Sequence, residues 1–110
     1  MAPMNATYAI EPTRLEIEAT KGVVLLEFGA PWCGFCQAAQ PLLADALADR
    51  PAIRHFKIED GKGKPLGRSF RVKLWPTLVF LKDGIEVARL VRPQNADAIG
   101  DALEQVNVSG

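Results

Sequence analysis

Val23-Val24-Leu25-Leu26-Glu27-Phe28-Gly29-Ala30-Pro31-Trp32-Cys33-Gly34-Phe35-Cys36 joins two patterns and carries the chain's only two cysteines. Its first six residues read as a buried strand, short, β-branched at the start and closed by the turn residues Gly29-Ala30-Pro31. Past Cys36, the run Gln37-Ala38-Ala39-Gln40-Pro41-Leu42-Leu43-Ala44-Asp45-Ala46-Leu47-Ala48 is dominated by helix formers. The cysteine pair therefore lies at a strand-to-helix turn, with Cys33 at or just before the first helical turn. Free N–H groups and the positive end of the helix dipole favour a thiolate there. A lowered pKa, somewhere in ~3.5–7.5, is expected for the first cysteine of such a pair. Two intervening residues on a starting helix also bring the sulfurs close enough to form a small, reversible disulfide ring.

Other uses of the pair fit less well. Structural zinc needs about four protein ligands, and beyond the pair only His55 is an obvious candidate. A purely structural disulfide across so short a loop would constrain little of the unfolded chain. Inert buried thiols would leave Trp32 and the helix start unexplained.

The whole sequence sets bounds on the rest. At 110 residues the chain makes one domain, with a tail at residues 1–6 and a single folded unit over 7–110. Hydrophobic residues are 48% and charged residues 24%, ordinary values for a globular protein. Thirteen Lys and Arg balance thirteen Asp and Glu, so overall charge gives no reason to expect nucleic acid or an anionic membrane as partner. No run approaches the ~20 apolar residues of a spanning helix. Met1–Thr7 lacks a basic end followed by an apolar stretch, so a cytoplasmic location is expected, and there a cysteine pair is more often catalytic than structural.

Along the chain, Tyr8-Ala9-Ile10 reads as a short edge strand, and Pro12-Thr13 opens a weak helix over about Arg14–Thr20. The strand Val23–Phe28 and a helix from Cys33 to about Asp49 follow, with Pro41 expected to kink the helix. Ile53–Ile58 reads as the next strand, Glu59–Lys64 as a polar loop, and Pro65–Phe70 as a short helix. Leu78–Leu81 and Glu86–Val91 flank Lys82-Asp83-Gly84-Ile85, a hairpin signature. A last helix runs from about Asn95, a good N-cap, to Val106, with Ala96, Ile99, Ala102, Leu103 and Val106 on one face. This alternation implies an α/β fold: a mixed central sheet, parallel early and hairpin-paired late, with helices on both faces.

Three motifs in order carry a resemblance. Phe28-Gly29-Ala30-Pro31-Trp32-Cys33-Gly34-Phe35-Cys36, then Trp75-Pro76-Thr77-Leu78-Val79-Phe80, then Lys82-Asp83-Gly84, resemble the thioredoxin family from about Val23 to Val106. The resemblance implies the thioredoxin fold and its strand order. It also implies that Trp75-Pro76 is a cis-proline loop opposite the cysteines, presenting the N–H and C=O of Trp75 to a substrate strand. Trp32, Gly34, Phe35, Trp75 and Pro76 would then surround the substrate, with Phe35 in place of the family's usual Pro.

Further site residues follow from the same comparison. Glu27 is an acid in an apolar strand. If buried, its pKa is raised by desolvation and it can take the proton of Cys36; the family commonly has Asp at the matching position. Lys57 matches a lysine that lies near this acid in the family, and a buried carboxylate costs less with such a partner. His55 is most simply a structural side chain. Arg92 stands where the family usually has Gly. Preceding Pro93, it is expected in extended conformations, as a cation at the site rim that favours acidic substrate segments.

The expected activity is thiol–disulfide exchange that reduces protein disulfides, with Cys33 attacking, Cys36 resolving, and Glu27 and Lys57 assisting. Alternatives are a disulfide oxidant or isomerase of the same fold, or a non-enzymatic binding or chaperone module. No cofactor or metal is implied. The resemblance implies an NADPH-dependent thioredoxin reductase as the electron donor, and the expected assembly is a monomer.

Overall fold

A computed structural model describes residues 7–107; the expected tail at residues 1–6 and the last three residues lie outside them. The elements run α1 (Arg14–Glu18), β1 (Val23–Gly29), α2 (Gly34–Leu47), β2 (Arg54–Glu59), α3 (Pro65–Ser69), β3 (Thr77–Lys82), β4 (Ile85–Val91) and α4 (Ala96–Asn107). Local chemistry explains their ends. Thr13 and Glu16 form a reciprocal capping box at the start of α1. Asn95 Oδ1 accepts the N–H of Ala98 at 2.8 Å to open α4. Asp83 and Gly84 both have positive φ, 50° and 83°, as a two-residue type I′ hairpin turn requires.

The strands form one mixed sheet in the order β2-β1-β3-β4. β1 and β2 are parallel, and the other two pairings are antiparallel. Tyr8-Ala9-Ile10 does not make the expected edge strand. It contributes only an isolated bridge, Tyr8 to Lys57, because Pro12 and the capped α1 turn the chain away. Pro41 does not end α2, which continues through it to Leu47.

Each face of the sheet has its own core. Leu25, Leu78 and Phe80 pack with Leu43, Leu47, Ile99 and Leu103 of α2 and α4. Val24, Leu26, Phe28 and Val79 pack with Ile17, Leu66 and Phe70 on the other side. The two-residue period of β1 thus assigns Glu27 to the same face as Leu25, beneath α2. Register places His55 opposite Leu25 and Lys57 opposite Glu27, so all three polar groups share that face.

Candidate active site

Strand β1 ends at Gly29, and the chain turns through Ala30-Pro31-Trp32 into α2. Cys33 is the N-cap, in extended conformation, and its Sγ accepts the N–H of Cys36 at 3.2 Å. That bond offers a thiolate at Cys33 a donor already in place. A position at a helix start suggests an exposed Cys33, but it is nearly covered: it retains 7% of its surface and Cys36 only 2%. Ala30 and Trp75 cover the pair. Burial, followed by the hydrogen bond to Cys33, pushes the Cys36 thiol up to about 12. The backbone is close here: a Cβ on Gly29 would stand 2.5 Å from the Cys36 sulfur, so only glycine fits beneath it.

Glu27 lies behind the sulfurs and is 1% exposed, not a surface carboxylate. Its Oε1 is 2.9 Å from His55 Nε2, and its Oε2 accepts Gln40 Nε2 at 2.8 Å. The same Gln40 nitrogen donates to the carbonyl of Cys36, also at 2.8 Å. Lys57 does not pair directly with Glu27. It donates to Gln40 Oε1 at 2.8 Å, because Gln40, one turn below Cys36, stands between the two charges. His55 is the direct partner, two residues before Lys57 and therefore on the same face of β2. That parity, and the four-residue step from Cys36 to Gln40, were the sequence signals for both.

Beside the covered Cys36, a cavity of about 390 Å³ is lined by Tyr8, Pro31, Gln37 and Lys57 among others. Lys57 Nζ lies 4.9 Å above the Tyr8 ring. Burial, then the neighbouring Cys36 and Glu27 charges, raises the Tyr8 hydroxyl above its ordinary range.

The facing loop contains a cis Trp75-Pro76 bond. The Trp75 indole N–H donates to Asp60 Oδ2 at 2.9 Å, and its ring meets Trp32 edge-on at 5.3 Å. Arg92 closes the rim. It is not extended but left-handed, with φ 51°, held by its N–H to the carbonyl of Pro76 at 3.0 Å. Its Nε donates to the carbonyl of Trp75 at 2.8 Å, and the guanidinium lies 3.9 Å over the Phe35 ring. The Trp75 carbonyl is therefore not left open as expected. Trp32, Cys33, Gly34, Phe35, Trp75 and Arg92 line one groove of about 320 Å³, together with Lys73 and Leu74. Trp32 and Phe35 keep 73% and 58% of their surface. Leu74, missed in the sequence, adds an exposed side chain adjoining Trp75. Pro76 is buried beneath the loop.

Comparison with known proteins settles the family. The thioredoxin family model matches residues 10–105. The chain belongs to the thioredoxin family. It is 54% identical to thioredoxin 2 of Pseudomonas aeruginosa PAO1, solved in its reduced form, over 94% of this chain and 96% of that one, with a TM-score of 0.82. It is 39% identical over 72 residues to thioredoxin H-type 1 of Nicotiana tabacum, covering 66% of this chain and 57% of the tobacco protein. It is also 39% identical over 70 residues to the thioredoxin of Chlamydia pneumoniae, covering 64% and 69%. The matched stretch thus spans little more than half the length of the tobacco relative. The fold and the cysteine pair at the head of α2 identify a thiol–disulfide oxidoreductase. Among the described residues no cluster of His, Cys, Asp and Glu is arranged for a metal, and no helix is long and apolar enough to cross a membrane.

Proposed function

We propose that this thioredoxin reduces disulfides in protein substrates. The Cys33 thiolate attacks one substrate sulfur, forming a Cys33–substrate disulfide and releasing the other substrate sulfur as a thiolate. Cys36 gives up its proton, attacks Cys33 Sγ and releases the second substrate sulfur. The substrate gains two electrons, and the enzyme is left with a Cys33–Cys36 disulfide. An external dithiol donor resets it; an NADPH-dependent thioredoxin reductase is the one proposed, acting on a monomer in the cytoplasm. The single observation that carries the order of attack is the unequal placement of the sulfurs: Cys33 lines the rim groove and accepts a helix N–H, while Cys36 lies behind it with its thiol pushed up to about 12.

Glu27 is proposed to accept the Cys36 proton. Supporting this, Gln40 joins its carboxylate to the backbone carbonyl of Cys36, and His55 holds the other oxygen. Lys57 orients Gln40 and thereby Glu27. On the substrate side, Trp32, Gly34, Phe35 and Trp75 form the docking surface; Pro76, expected there too, is buried and instead holds the Trp75 loop from beneath. Arg92 acts as a displaceable cap on the Trp75 carbonyl: a substrate strand takes that carbonyl, and a substrate carboxylate takes up the freed guanidinium. The test is trapping. Cys36→Ser should accumulate a mixed disulfide with a protein substrate, and Cys33→Ser should accumulate none; trapping by Cys33→Ser would reverse the roles.

A further inference from the structure

Five of the chain's thirteen Lys and Arg residues fall within one stretch: Lys62, Lys64, Arg68, Arg71 and Lys73. With Trp75 they line a groove of about 590 Å³. None of the five side chains takes part in the ion pairs found among the described residues. The carboxylate in the groove, Asp60, accepts the Trp75 indole N–H. A chain with no net charge therefore concentrates unpaired cations on one side.

The placement has a direction. Lys73 and Trp75 also line the rim groove that holds Cys33 and Arg92, so the basic groove adjoins the groove of the reactive sulfur. The turn after α3 fixes one of its cations in an unusual way. Arg71 has φ 58°, with its N–H bonded to the carbonyl of Arg68, and Val72 N–H to the carbonyl of Gly67. A glycine would adopt that dihedral without strain; here the position carries a guanidinium.

We infer that this groove docks an acidic stretch of the substrate protein, adjoining the cysteine that Cys33 attacks. The inference rests on the oxidoreductase reading for its choice of partner, a polypeptide. Its chemistry is charge complementarity, which acts mainly on encounter and on the selection among substrates. The apolar rim grips the segment at the cysteine, and the basic groove selects the sequence beside it.

The test separates binding from chemistry. Tryptophan fluorescence, to which Trp75 contributes from the groove wall, is titrated with a short cysteine-free peptide alternating Glu and Gly, and with its Lys-for-Glu counterpart. At ~0.01 M salt, where the Debye length is about 30 Å, the Glu peptide should saturate; at ~1 M, where it is about 3 Å, binding should vanish. Lys62→Glu with Arg68→Glu, both at exposed positions, should weaken Glu-peptide binding by roughly ten-fold or more, the lower end of electrostatic focusing. Lys82→Glu with Arg54→Glu makes the same charge change at the opposite end of the sheet and should leave binding near wild type. Equal binding of both peptides by the wild type overturns the inference, as does equal loss in the two double variants. A single-stranded oligonucleotide of matched charge that binds more tightly than the Glu peptide also overturns it. In parallel, disulfide peptides with acidic and basic flanks are offered to the wild type, the acidic one expected to react roughly ten-fold faster at low salt. If neither is reduced, the oxidoreductase reading fails, while the cysteine-free titration still decides the groove.

Discussion

The guanidinium of Arg92 donates to the carbonyl of Trp75 across 2.8 Å, although 17 residues separate them in the chain. The bond ties the end of β4 to the loop facing Cys33, and it fills an acceptor on a residue that lines the same groove as the reactive sulfur. A charged donor to a carbonyl contributes about 1.5–3 kcal/mol net, so a substrate that uses this carbonyl must replace a bond of that size.

Arg92→Gly removes the cap and tolerates the left-handed φ of 51°. KM for an uncharged disulfide peptide should fall by about three- to ten-fold, within what the freed hydrogen bond permits, with kcat little changed. The variant should also lose discrimination between acidic and basic peptides at the rim. Steady-state kinetics on the matched peptides checks both; an unchanged KM would mean that substrates do not use the carbonyl.

Iodoacetamide should label Cys33 well before Cys36. The rim groove reaches Cys33, while Cys36 is covered and its thiol is pushed up to about 12. At neutral pH the Cys36 thiol therefore stays protonated, and reactivity follows the thiolate. Mass spectrometry of peptides after brief labelling reads the order.

Stability of the reduced protein should decline in alkali. In the unfolded chain Cys36 loses its proton near 9.0, whereas in the fold it holds it to about 12. Between those values the folded state binds more protons, so raising the pH favours unfolding. Below 9 this group adds no slope. Tyr8, raised from 10.0 mainly by burial, acts in the same sense at higher pH. Thermal unfolding of the reduced protein from pH 8 to 11 should show a steeper fall than Cys36→Ser shows.

Glu27→Gln retains the size of the side chain but removes the proton acceptor. Resolution of the mixed disulfide should slow by about a hundred-fold, the lower range for general base catalysis, while its formation changes little. Stopped-flow measurement of the two steps with a fluorescent disulfide substrate separates them. Equal slowing of both steps would make Glu27 a structural residue.

Gly29→Ala should destabilise the reduced protein by about 1–3 kcal/mol, the usual cost of overpacking. The added Cβ would sit 2.5 Å from the Cys36 sulfur, and Cys36 is itself packed. Urea unfolding measures the cost, and relief of it in the double variant with Cys36→Ala would assign it to this contact.

Much of the fold was legible because its signals are local. Asp83-Gly84, Asn95 and the short apolar run Val23–Phe28 each act within a few residues, and each appears where the pattern put it. The cysteine pair was legible for the same reason, as a helix N-cap. Tyr8-Ala9-Ile10 was misread because strand propensity says nothing about the following Pro12 and capped α1, which turn the chain away from the edge of β2. The surroundings of Glu27 were only half legible. Its burial follows from strand parity, but its partner depends on the register of β1 against β2, which brings together residues 28 apart. Arg92 was placed at the rim from sequence, yet its left-handed backbone and its hold on Trp75 depend on a loop formed elsewhere.

The carboxamide of Gln40 has one further consequence. Its nitrogen serves Glu27 and the Cys36 carbonyl, and its oxygen receives Lys57. A flip of the amide would set oxygen against oxygen on one side and nitrogen against ammonium on the other, so a single orientation is tolerated. Glu at this position would bring a second negative charge against Glu27, Lys would face Lys57, and Asn is one methylene short. Gln is the one genetically encoded side chain of this length with both a donor and an acceptor at its tip. Position 40 should therefore be among the least interchangeable in the molecule, although it touches neither sulfur.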